Sequence, residues 1–281
     1  MPLVLVGTPI GNLGDLAPRA VEALRRADAI CCEDTRRTGR LLEHAGVARP
    51  ALVVVNDHTE VRAIAGVLDR LARGERVAVV TDAGMPGISD PGERLVRAAV
   101  DAGHPVEVVP GPSAAITALV ASALPTGRFV FEGFLPRKGS GRTSRVAELA
   151  HEPRTVILYE APHRLARTLA DLAAACGPER RVSVGRELTK LHEEHWRGTL
   201  AEAVAWAEAT EPRGELVLVL DGAPPPPAVD VAQVEAALTD ELRAGASARD
   251  AAAAVAQGLG IPKRQAYELA VQLRGRANPH R

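Results

Sequence analysis

Three loops combine glycine, proline and polar side chains where a ligand could be held. The run Thr81-Asp82-Ala83-Gly84-Met85-Pro86-Gly87-Ile88-Ser89-Asp90-Pro91-Gly92 follows a buried-strand pattern, Arg76 to Val80. Its glycines let a bound molecule approach the backbone more closely than any Cβ would allow, while Pro86 and Pro91 lower the entropy cost of ordering the loop. It matches neither the GxGxxG nor the GxxxxGK[ST] phosphate-cradling pattern. Two more strand patterns end in similar chemistry: Leu3 to Val6 leads into Gly7-Thr8-Pro9-Ile10-Gly11-Asn12-Leu13-Gly14-Asp15, and Pro105 to Val109 leads into Pro110-Gly111-Pro112-Ser113. Groups able to accept a proton lie at equivalent places. Glu33 and Asp34 follow the buried strand Ala29 to Cys32, and His58 follows the third strand pattern. Asp34 could serve that purpose or cap the helix behind it. His58 titrates near neutral pH, yet a loop histidine is more often plain solvated surface.

The elements that would position these residues alternate. Strand patterns at 3–6, 28–32, 51–55, 76–80 and 105–109 are interleaved with helical patterns near 17–26, 36–45, 61–73, 92–102 and 113–122, which predicts an α/β domain over 1–122 with a largely parallel sheet. Ligands of such sheets bind beyond the carboxyl ends of the strands, so the three loops should share one crevice. Residues 123–222 read as a second α/β domain with a mixed sheet. After a stiff spacer at Pro224 to Pro227, residues 228–281 read as a helical tail of three helices. The second opens on the capping pattern Ser247-Ala248-Arg249-Asp250 and is joined to the third by a helix-turn-helix-like turn, Gly258 to Pro262.

GTPIGNLGD, CCEDTR, TDAGMPGISDPG, VVPGPSAAITAL, FEGFLPRK, YEAPHR and RELTKLHEE occur in this order over roughly residues 3 to 222. The combination resembles the S-adenosylmethionine-dependent methyltransferases of the tetrapyrrole methylase fold. Within them it is most similar to the branch that methylates the ribose 2'-hydroxyl of a cytidine in the decoding region of small-subunit (16S) ribosomal RNA. The resemblance implies a donor cleft between two α/β domains and a helical tail. It places Pro9, Asp82, Ala83, Gly84, Met85, Ile88, Ser113, Ala114, Tyr159, Leu188 and Gly214 on the donor, and a homodimer as the working form. Met85 and Tyr159 could equally be core residues. Ser113 is also a natural N-cap. For catalysis Asp34 or Glu33 could orient the ribose or accept its proton, with His58 as a further candidate. Arg36 beside Asp34 completes the EDTR element. Glu187 reads as a partner for Arg186.

The segment Pro136 to Arg145 carries Arg137, Lys138, Arg142 and Arg145 without an acid and reads as a flexible loop that could clamp RNA phosphates or be a plain solvated connector; His163 and Arg164 could add to the same rim or equally begin and cap a helix. Lys263, Arg264, Arg274 and Arg276 around the last helix give weaker support to RNA contact, because acids dilute them, and a docking or dimer-support role for the tail is an equal alternative. Two other readings remain open at this level: methylation of a tetrapyrrole or corrin precursor by the same fold, and a non-catalytic nucleic-acid-binding sensor.

Composition bounds these readings. Of 281 residues, 46% are hydrophobic and 25% charged, while aromatic residues make up only 2%, so the core must be aliphatic and stacking platforms for RNA bases are scarce. A net charge of -1 argues against a protein that coats nucleic acid generally, and leaves local contacts to select a folded target. Cys31, Cys32 and Cys176 have no metal spacing; the first two point to opposite faces of one strand. No metal is expected. The amino terminus reads as a strand rather than a leader, and no apolar run is long enough to span a bilayer, which predicts a cytoplasmic protein with no membrane partner.

Overall fold

Short runs of valine, leucine and isoleucine form strands, as their branched side chains favour, and the amphipathic stretches between them form helices. In this computed structural model, which describes residues 1–56, 58–225 and 230–277 apart from the side chains of 275–277, the first half of the chain alternates strand and helix. The elements are β1 (Leu3–Val6), α1 (Pro18–Arg25), β2 (Ala29–Cys32), α2 (Thr35–His44), β3 (Ala51–Val54), α3 (Glu60–Ala72), β4 (Val77–Val79), α4 (Glu93–Asp101), β5 (Val106–Val109) and α5 (Ala114–Ala121). The five strands are parallel and ordered β3-β2-β4-β1-β5. Every residue of β1, β2 and β4 is buried, as strands covered on both faces require. Cys32 packs with Val4, Val6 and Ile30 on one face, whereas Cys31 packs with Leu3, Leu5 and Val77 on the other. Burial pushes the Cys31 thiol up to about 12, so it behaves as a small apolar core residue.

The chain continues with β6 (Phe129–Phe134), α6 (Ser140–Ala150), β7 (Thr155–Glu160), α7 (Leu165–Cys176), β8 (Arg181–Arg186), β9 (Glu194–Thr199), α8 (Leu200–Thr210) and β10 (Leu216–Leu220). These strands form the mixed sheet β6-β7-β10-β8-β9, with β6 and β7 parallel and the other neighbours antiparallel. Helix α5 belongs by sequence to the first sheet, yet its Ala115, Ala118 and Leu119 pack with Ile157, Val217 and Val219 of the second and with Leu188 in the loop after β8. Ile10, from the loop after β1, joins the same cluster and fixes that loop against the second sheet. Both sheets lie in one compact unit, Met1–Ala223.

Two buried charged side chains hold helix ends. Glu60, at 5% exposure, accepts the backbone N–H groups of Gly92, Arg94 and Leu95 at 3.0, 3.1 and 3.2 Å, satisfying donors that the first turn of α4 leaves without intrahelical partners. Arg180 donates to the carbonyl oxygens of Leu149, Ala150, Glu152 and Asp221, doing the same for the carboxyl end of α6. Ser113 occupies the N-cap position of α5, but its side chain makes no capping bond.

Residues Pro224–Arg281 form a separate unit. Helices α9 (Val231–Arg243), α10 (Ala248–Leu259) and α11 (Lys263–Ala277) pack through Val234, Leu238, Ala251, Ala252, Val255, Ala266 and Ala270. Ser247 caps α10 by accepting the Asp250 N–H, and Gly260 ends it in the left-handed conformation. Arg264 is tied to Glu268 at 2.9 Å, while Arg274 is exposed. The spacer expected at Pro224 to Pro227 lies partly outside the described residues, as does the Arg276 side chain.

Candidate active site

The strand order explains why the three loops meet: β4, β1 and β5 are neighbours, so their carboxyl-terminal loops emerge side by side. Thr8 and Gly84 exchange backbone bonds, N–H to oxygen, at 2.9 and 3.2 Å, and the Thr8 hydroxyl donates to the Thr81 carbonyl. The backbones of Gly7 and Gly111 pack directly together; a Cβ at Gly111 would lie 2.8 to 2.9 Å from backbone atoms of Gly7. Gly111→Ala is therefore expected to force the first and third loops apart, costing about 1–3 kcal/mol and weakening any ligand bound between them. The control is Gly66→Ala on α3, where a Cβ meets nothing within 4 Å and the substitution should be neutral or stabilising. Thermal melts of the two variants check this directly.

The loops form one wall of a cavity of about 380 Å³, within the range of small-molecule sites. Of the residues that the sequence suggests for donor binding, Asp82, Ala83, Gly84, Met85, Ile88, Ser113, Ala114, Tyr159 and Gly214 line it. Pro9 instead lines an adjoining cavity that shares Ile10, Arg37, Asp82, Ala83 and Glu215 with the first. Leu188 is buried in the apolar cluster beneath α5. The lining also includes Ile10, Arg37, Ser89 and Phe134, which the sequence does not single out. Ser89 holds a positive φ of 58°, a strained conformation of the kind found at binding loops.

Asp82 is the acid at the centre of this geometry. Burial raises its pKa, while the Arg37 guanidinium, 3.3 Å from Oδ2, and the Asp34 backbone amide draw it back. Its other carboxylate oxygen, Oδ1, is buried without a hydrogen-bond partner. Glu33 accepts the Asp82 N–H at 3.0 Å and so braces the loop at this residue. Neither Glu33 nor Asp34 lines the cavity. Asp34 caps α2 through the Arg36 N–H at 2.8 Å, and its carboxylate grips the Arg36 side chain, also at 2.8 Å. That side-chain bond, ahead of the backbone bond from the same residue, holds Asp34 well below the usual carboxylate range. Of the two adjacent arginines, Arg37 reaches the cavity and Arg36 does not. His58 lies exposed after β3, away from the cavity lining. Glu187 pairs with Lys190 at 2.8 Å, not with Arg186, whose partner is Glu194.

The basic segment is not the open loop that its composition suggests. Helix α6 begins at Ser140, and Arg142 turns inward, at 4% exposure, to bond Asp171 at 2.8 Å, Thr168 at 2.9 Å and the Pro136 carbonyl at 3.2 Å. Arg145 is bound by Glu132 and Glu148. Arg164 bonds buried Glu160 at 3.1 Å and the Leu135 carbonyl at 2.7 Å. Arg137 and Lys138 remain exposed. A second cavity, about 710 Å³, is lined by Arg137, Arg142, His163, Arg164 and Arg167, and it shares Phe134 and Ala161 with the first. Among the described residues no cluster of three or more His, Cys, Asp or Glu could hold a metal ion, and no helix is long and apolar enough to cross a membrane.

The fold is shared with known proteins. The family model for Tetrapyrrole (Corrin/Porphyrin) Methylases matches residues 2–204. The chain is 47% identical over 275 residues to the ribosomal RNA small subunit methyltransferase I of Synechocystis sp., covering 96% of this chain and 98% of that one. It is 43% identical over 278 residues to the protein of the same name from Pseudomonas aeruginosa, covering 98% of both. The crystal structure of the methyltransferase CobJ superposes with a TM-score of 0.61 at 21% identity, over 79% of this chain and 94% of that one. Uroporphyrin-III C-methyl transferase from Thermus thermophilus, complexed with S-adenyl homocysteine, does so with a TM-score of 0.55 at 22% identity, over 79% and 97%. The two parallel-and-mixed sheets, the three converging loops and near full-length identity above 40% all point the same way: the chain belongs to the tetrapyrrole methylase family, in the branch formed by the ribosomal RNA small subunit methyltransferase I proteins.

Proposed function

We propose that this chain transfers a methyl group from S-adenosylmethionine to the ribose 2'-hydroxyl of a cytidine in the decoding region of small-subunit ribosomal RNA. The observation that carries the reading is the adjacency of two unlike cavities. One is small, mainly apolar and furnished with a buried carboxylate oxygen, Asp82 Oδ1, that has no hydrogen-bond partner; the other is larger and lined by arginines. The first suits the donor: Ile10, Met85, Ile88 and Val217 offer apolar contact, Gly84 lets the backbone come close, and Ser113 offers a polar end. When bound, the donor supplies an electrophilic methyl group on a sulfonium. The protein's part is alignment and removal of the hydroxyl proton.

Asp82 Oδ1 is the best-placed proton acceptor. It is buried and unpartnered, and its elevated pKa makes it a stronger base than Asp34, which is tied to Arg36. Glu33 holds Asp82 in place through its backbone, and the Arg37 guanidinium beside its carboxylate opposes the upward shift that burial causes. Exposed Arg137 and Lys138, with Arg164 and Arg167, offer the phosphate contacts, whereas Arg142 and Arg145 act within the fold. A cytoplasmic site of action and pairing of two copies belong to the same reading; light scattering should give twice the 29.5 kDa of one chain.

The reading is tested by incubating the protein with labelled S-adenosylmethionine and, in parallel, small ribosomal subunits lacking their native methyl groups or uroporphyrinogen. Label in the subunit RNA is expected. Label in the macrocycle would favour the tetrapyrrole alternative, and donor binding without any transfer would favour a sensor.

A further inference from the structure

Phe134 occupies a place that its chemistry alone does not explain. This large apolar side chain is 53% exposed in a chain with only three phenylalanines. It stands at the end of β6, just past a register shift between Phe131 and Gly133, where Gly133 takes a φ of 62°. Such a bulge re-aims the residue that follows it. A Cβ at Gly133 would sit 2.8 Å from the Ser89 hydroxyl, so glycine also lets β6 close against the loop after β4. The ring of Phe134 meets that of Tyr159 edge-on, with centroids 5.6 Å apart, and Tyr159 is braced likewise by Phe131 at 5.1 Å. This fixed ring forms part of the wall of both the donor-sized cavity and the arginine-lined cavity.

The neighbouring cations are not all spent on the fold. Arg137 makes no ion pair among the described residues, and Arg167 reaches Asp171 only at 3.9 Å. Glu160 and Asp171 are the acids facing this cluster, and they are engaged chiefly by Arg164 and Arg142. A planar π face thus stands beside uncompensated guanidinium groups. A nucleotide that leaves its helix presents the complement: a flat ring joined through a sugar to a phosphate.

We infer that Phe134 is the platform on which the target nucleobase stacks, with a flanking phosphate held by Arg137 and Arg167. The inference rests on the RNA reading above. Phe134→Leu keeps an apolar side chain but removes the π face, and Phe134→Trp restores one. Transfer to undermethylated small subunits is measured at several subunit concentrations, with S-adenosylhomocysteine binding followed by calorimetry. Phe134→Leu should lower kcat/KM for subunits about 5- to 100-fold, the range set by loss of one base–aromatic stack. Phe134→Trp should recover most of it, and because the ring also borders the donor cavity, any change in the S-adenosylhomocysteine Kd should be smaller than the change in kcat/KM in both variants. Arg137→Ala should weaken subunit binding and flatten its salt dependence by about one phosphate contact. Wild-type kcat/KM in Phe134→Leu would overturn the inference alone, and so would a matching loss of S-adenosylhomocysteine affinity, which would assign the ring to the donor. A wild-type protein that transfers nothing to subunits would overturn the RNA reading and this inference with it.

Discussion

Asp82→Asn should lower kcat for methyl transfer by ~10²–10⁴-fold, the usual contribution of a positioned proton acceptor, with the protein no less stable than before. The stability follows from sign. Because burial raises its pKa in the folded state, Asp82 binds its proton more readily folded than unfolded, and its ionised form is a cost to folding that asparagine removes. The same shift predicts the pH profile. The rate should fall as pH drops through the Asp82 pKa, and this acid limb should lie above that of an ordinary aspartate. In Asp34→Asn the limb should stay where it is, because Asp34 is held low by Arg36 and remains ionised throughout that range. Steady-state rates of both variants across pH check this. Loss of kcat in Asp34→Asn with retention in Asp82→Asn would reverse the assignment.

Glu60→Ala should be strongly destabilising. It strips three backbone N–H groups at the start of α4 of their acceptor, at a site only 5% exposed. Each buried donor left unpaired costs about 1–3 kcal/mol, and because the Arg94 N–H is only partly buried the total falls toward the low end, about 3–5 kcal/mol. For a unit of this size that corresponds to a fall in Tm of roughly 10 °C. Gly92 also ends the loop that carries Asp82, so donor affinity should drop in the same variant. Glu60→Gln keeps an acceptor oxygen and should lose markedly less. Thermal melts with and without S-adenosylhomocysteine measure both effects; an unchanged Tm in Glu60→Ala would contradict the role given to this carboxylate.

The strand-loop-helix units were legible in the sequence because each carried its own local signal: a branched apolar run, a glycine–proline loop, then an amphipathic stretch. Convergence of the loops followed from the general behaviour of parallel sheets, and the order β4-β1-β5 supplies it. What the sequence hid depends on contacts between distant segments. Arg36 and Arg37 are adjacent and chemically alike. Only the path of α2 past the loop after β4 decides that Arg37 reaches Asp82, while Arg36 folds back on Asp34. The stretch Gly139-Ser140-Gly141 is rich in poor helix formers, so local propensity favours a loop. Bonds from Arg142 to Asp171 and Thr168 on α7 override it and draw a cation inward. The contact of Gly7 with Gly111 spans more than a hundred residues and exists only because β1 and β5 are neighbours. Helix α5 gives no sign in its sequence of packing on the second sheet, since a helix made almost wholly of alanine, valine, leucine and isoleucine has no marked polar face to orient it.

The central claim, that the methyl group is placed on a ribose oxygen of one nucleotide, is tested most directly by the chemistry of the labelled RNA. Small subunits labelled by the purified protein are stripped to RNA and hydrolysed in alkali, and the labelled fragment is sized and sequenced by mass spectrometry. A 2'-O-methyl group blocks cleavage at its own phosphate. The account therefore predicts that the label survives in a single alkali-resistant dinucleotide beginning with cytidine. Label released in a mononucleotide would place the methyl on a base and contradict it.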